Sequence, residues 1–84
     1  MLFHVTLDHT PELCPIVTSG SNPMPQVIAR AGDTGVNVVS VLGAKPQHCV
    51  YLVLETDDVA KLNDFLDPVL GWAKCDITPV ASMI

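Results

Sequence analysis

The sequence predicts an α+β domain of ferredoxin-like βαββαβ pattern, a four-stranded antiparallel sheet with two helices on one face. Three observations predict it. Four short segments read as strands, two segments between them carry helical spacing, and 84 residues suit one domain, 1–84, and no second. In this order both helices fall on the same side of the sheet and leave its other side bare.

Each element has its own signal. Residues 2–9 alternate, with Phe3, Val5 and Leu7 on one face and His4, Thr6 and Asp8 on the other, the period-2 mark of a half-buried strand. Residues 10–25 hold four prolines and Gly20 among Ser and Thr and read as a long loop. Asn22 before Pro23 signals a helix start, because Asn caps and Pro suits the first turn. Met24, Val27, Ile28 and Ala31 then follow i, i+3, i+4, i+7, and Gly32 is the expected stop. Residues 36–42 are rich in β-branched side chains, and 48–55 are apolar enough for a strand covered on both faces. Thr56-Asp57-Asp58 opens a second helix, with Thr able to cap and two carboxylates at the positive end of the dipole. Val59, Leu62, Phe65 and Leu66 form its apolar stripe, and Asp67-Pro68 ends it. A last strand runs from Trp72 to about Thr78, where Pro79 suits an edge.

Composition points to association. The apolar fraction is 49 % and the charged fraction only 15 %, so too few charges are present to coat a thin-cored small domain. A bare sheet face can be covered by the same face of a second copy, and a homodimer is the expected partner. Nine acidic residues against four scattered basic ones give a net charge of −5, which disfavours nucleic-acid and anionic-membrane surfaces. Cys14, Cys49 and Cys75 form no CxxC pair and read as reduced thiols. The opening residues lack the features of a signal peptide, and no stretch has the length of an apolar membrane span. A cytoplasmic location is expected.

Two stretches resemble a known family. Met1-Leu2-Phe3-His4-Val5 looks like the start of muconolactone isomerases. Glu55 to Leu62 and Cys75-Asp76-Ile77-Thr78 are similar to the acidic strand end, second helix and last strand of those enzymes, and Ile77 to Val80 is similar to the final strand of related short domains. The resemblance implies a dimeric α+β barrel with a central cavity. That superfamily includes isomerases, cofactor-free oxygenases and plain binding domains. The first helix here is shorter, and Asn37 and Ser40 stand where those enzymes carry basic or aromatic residues in strand two.

The site expected from these features lies on the bare face. His4 is the candidate catalytic acid/base, because imidazole moves protons near neutral pH. Thr6 and Tyr51 are expected to position a small organic ligand, with Asp8, His48 and Trp72 completing the ligand-binding set. His4, His9, Cys14 and His48 offer zinc-type donors, but their spacing matches no compact motif, so no metal and no cofactor is expected. Cys14, in the loop, is the cysteine expected to be reactive, while Cys49 and Cys75 read as structural thiols. Proton transfer of the isomerase kind is the leading function. A non-catalytic binding or sensing domain and a structural dimer are the alternatives.

Overall fold

The strand ladders put apolar residues in register on one side of the sheet. In a computed structural model describing residues 1–84, β1 (Leu2–Asp8), β2 (Asn37–Ala44), β3 (Cys49–Glu55) and β4 (Lys74–Val80) form one antiparallel sheet in the order β2-β3-β1-β4. This α+β arrangement is compatible with a ferredoxin-like fold. Pairing runs the full length of β1 against β3, from Leu2 opposite Glu55 to Asp8 opposite Cys49. Because successive side chains alternate between faces, the registers of all three ladders define rows across the sheet. Val41, Leu52, Val5 and Ile77 form one row, and Gly43, Val50, Leu7 and Cys75 the next. The opposite face carries the rows Ser40, Val53, His4, Thr78 and Leu42, Tyr51, Thr6, Asp76.

The first of these faces meets the helices. α4 (Val59–Leu66) buries Leu62, Phe65 and Leu66, and α2 (Met24–Ala29) buries Met24 and Val27. Together with Phe3, Val5, Leu7, Leu52 and Leu54 they make the single core. Each such side chain stabilises the fold by roughly 1.5–3 kcal/mol through lost apolar exposure. Val59, expected in the stripe, is instead exposed at the first position of the helix.

Two boundaries differ from expectation. The cap of α4 is Asp58, whose Oδ1 accepts from the Ala60 N–H at 2.9 Å. Thr56 is buried and its hydroxyl donates to the Gly35 carbonyl at 3.2 Å, tying the start of α4 to the start of β2. Gly32 does not stop the first helix. After a break at Arg30, the chain resumes as α3 (Ala31–Thr34) and ends at Gly35, whose φ of +76° is the conformation a glycine adopts without penalty. The Arg30 guanidinium donates to the carbonyls of Phe65 and Asp64 at 3.3 and 3.2 Å, tying the break between α2 and α3 to the last turn of α4.

The expected loop is also more ordered than its proline content suggests. A 3-10 turn at Pro11–Leu13 leads into α1 (Pro15–Ser19), closed by Gly20 at φ +74°. Both prolines stand at first helical positions, where their missing N–H is not needed. Pro79 lies in β4, an edge strand, as its chemistry requires. No helix is long and apolar enough to cross a membrane.

Candidate functional site

The end of the sheet where β1 leaves and β3 begins brings three ligand-type side chains together. Asp8 opposite Cys49 is the last pair of the β1–β3 ladder, so the next rung sets His9 against His48. The His9 N–H donates to the His48 carbonyl at 3.2 Å. Both imidazoles line one cavity at this end of the sheet, and their rings meet edge to face with centroids 5.5 Å apart.

Cys14 closes the group from above. It stands between the 3-10 turn and α1, and only 6 % of its surface is exposed. The Thr18 N–H and hydroxyl both donate to its carbonyl, at 2.9 and 3.0 Å, which fixes the backbone from which the thiol projects. One donor atom from each of His9, Cys14 and His48 lies within 4.8 Å of the other two. Cys14, expected in an open loop, instead caps α1 at the sheet end and is buried there. Burial and then the neighbouring Asp76 push the Cys75 thiol pKa up, which disfavours its thiolate.

Two features mark the His9–His48 rung as strained or incomplete. His48 has φ +51°, the only non-glycine residue with positive φ. That left-handed conformation costs roughly 1–2 kcal/mol in an L-residue and turns the chain out of the 3-10 turn Lys45–Gln47. His9 is held on a second side by Trp72, whose ring lies 5.3 Å away at 81°. Neither of its ring nitrogens reaches solvent or a hydrogen-bond partner. An imidazole always has a donor or acceptor at each nitrogen, and leaving a buried one unmet costs about 1–3 kcal/mol. Burial, then His48, lowers the His9 pKa, and Asp8 acts weakly the other way. The ring is therefore biased toward the neutral form, the form that binds metals.

The three donors share the wall of one cavity of ≈ 200 Å³. Ile16 and Val17 of α1, Gly43 and Ala44 of β2, Lys45, Cys49 and Val50 line the rest. This is the part of the molecule where apolar walls and convergent polar groups coincide.

The residues expected to form the site divide into two groups. His48 belongs to the cluster, Trp72 packs against His9, and Asp8 sits exposed at the adjoining strand end. His4, Thr6 and Tyr51 lie on the bare face, where the His4 and Tyr51 rings are 6.1 Å apart. None of the chain's four concavities reaches those three. His9 and Cys14, metal-type donors outside the expected site, are the other two members of the cluster. Strands of 2–9 and 48–55, laid antiparallel end to end, do oppose His9 to His48, which was the available signal. Compared with known proteins, the chain matches no family model and no curated protein.

Proposed function

We propose that this domain binds one zinc-type transition-metal ion through His9, Cys14 and His48. The observation that carries the reading is the convergence of two imidazoles and a thiol within 4.8 Å at the wall of a cavity. Nitrogen and sulfur donors select borderline and soft metals over magnesium or calcium. Tetrahedral zinc, with bonds of about 2.0–2.1 Å to nitrogen and 2.3 Å to sulfur, sets its donors roughly 3.3–3.6 Å apart. Drawing this group to that spacing takes side-chain displacements of no more than about 1 Å, within the reach of χ rotation. A metal bond would also give one of the buried His9 nitrogens the partner it lacks.

Zinc titration in competition with a chromophoric chelator tests the reading. One equivalent binds to the wild type. His9→Ala, Cys14→Ser and His48→Ala each weaken binding beyond the roughly 10–100-fold that loss of an outer hydrogen-bond partner costs. Cys75→Ser leaves it unchanged. Binding that survives all three ligand variants sinks the proposal.

A second reading concerns the bare face and is favoured by its composition. Leu42 is 63 % exposed and Val80 41 %, beside the His4–Tyr51 pair, with no helix covering them. A second copy packed there would enclose His4, Thr6 and Tyr51 in a shared cavity for a small organic molecule, with His4 as proton carrier. The resemblance to muconolactone isomerases and the low charge content support this homodimer, and the isomerase activity depends on it.

A further inference from the structure

The metal group has three protein donors, and all three line the cavity. Zinc completes a tetrahedron, so a site with three protein ligands keeps one position for water or an added ligand. No further histidine, cysteine or carboxylate lies close enough to join the group. Cys49 touches the same cavity but falls outside the cluster, and the side chain of Asp8 is exposed on the opposite side of its strand.

The wall of the cavity says what kind of ligand fits. Ile16, Val17, Ala44 and Val50 make it largely apolar, and Lys45 is the one cationic side chain in it. A divalent ion with the single Cys14 thiolate keeps one net positive charge, so a further anion is favoured. A hydrated oxyanion would lose its water against the apolar wall without replacement. A thiolate with a short alkyl body loses little hydration there and presents the soft donor the metal prefers. At about 30 Å³ for each water-sized unit, the ≈ 200 Å³ cavity holds a group of roughly six or seven such units.

We infer that the fourth coordination position of the His9–Cys14–His48 centre takes a small exogenous thiol, bound as its thiolate with the carbon chain in the cavity. The inference rests on the metal reading above. The step is a ligand exchange: the S–H bond breaks, its proton leaves to solvent, and the sulfur lone pair forms the metal–sulfur bond as the bound water departs. No electron is transferred. The site is thereby suited to capturing or sensing low-molecular-weight thiols.

Cobalt(II) in place of zinc makes the exchange visible, with propane-1-thiol as the probe and the full-length protein as the sample. The cobalt protein alone shows tetrahedral d–d bands and a charge-transfer band from one thiolate. Saturable growth of that charge-transfer band to about twice its starting intensity supports the inference. Gly43→Leu supplies the second measurement. Gly43 lines the cavity and a Cβ there meets no atom within 4 Å, so the substitution is aimed at filling that space. Thiol affinity falls at least tenfold in this variant, while cobalt affinity stays within threefold. An unchanged band, or cobalt stripped from the protein by the thiol, overturns the inference and leaves the metal site standing. Failure of cobalt to bind at all overturns both.

Discussion

His9 and His48 occupy the rung just beyond the last paired residues of β1 and β3, joined by a 3.2 Å backbone hydrogen bond and by rings 5.5 Å apart. The sheet thus holds two imidazoles at fixed separation, and α1 only has to deliver the Cys14 thiol. Donors brought together from three separate segments of the folded chain link metal occupancy to the stability of the whole domain.

Zinc therefore raises the melting temperature. At one hundred times its dissociation constant a ligand that binds only the folded state adds about 2.7 kcal/mol. For a domain of this size that is a rise of roughly 10–20 °C. Circular dichroism melts with zinc, with excess chelator, and for Cys14→Ser check it. The gain disappears in the last two.

Acid weakens the apo protein through His9. Its folded pKa lies below the ordinary 6.5, so between those two values the unfolded chain binds a proton that the folded chain does not. Stability then rises with pH across that window and is lost as pH falls through it. His9→Phe removes this slope below pH ~6.5, as urea midpoints at several pH values would report. A slope that persists in the variant assigns it to another group.

Core and cap substitutions separate in size. Leu52 is fully buried between both sheet neighbours and the helices, and Leu52→Ala costs about 2–5 kcal/mol. Asp58→Ala removes the 2.9 Å cap of α4 and costs about 1 kcal/mol. Urea denaturation ranks them, and an Asp58→Ala loss as large as that of Leu52→Ala contradicts the division between core and cap.

The bare face has its own test. If it pairs with a second copy, Leu42→Glu places a carboxylate in that contact and shifts the protein to monomer in sedimentation velocity. A wild type that sediments as a monomer at high concentration removes the homodimer, and with it the enclosed cavity around His4.

Much of this fold was legible from local pattern. The alternation of Phe3, Val5 and Leu7 and the spacing of Leu62, Phe65 and Leu66 report burial directly, and the structure buries all six. Helix ends were less legible. Gly32 and Gly35 are both plausible stops, and only the close packing of α3 on α4 selects the second. The site was the least legible part. Ligand spacing along a chain reveals a metal centre when one hairpin or helix carries it. Here His9 and His48 meet through strand register, and Cys14 arrives from a proline-rich segment whose helical turn α1 has no periodic signal. The polar alternation that singled out His4 and Thr6 was correct as a face, but a face is not a pocket until something covers it.

X-ray absorption at the zinc edge, on protein loaded with one equivalent of zinc, tests the central assignment most directly. The expected first shell has two nitrogen neighbours at about 2.0–2.1 Å and at least one sulfur at about 2.3 Å, the sulfur vanishing in Cys14→Ser. A shell of six light atoms without sulfur in the wild type would contradict it.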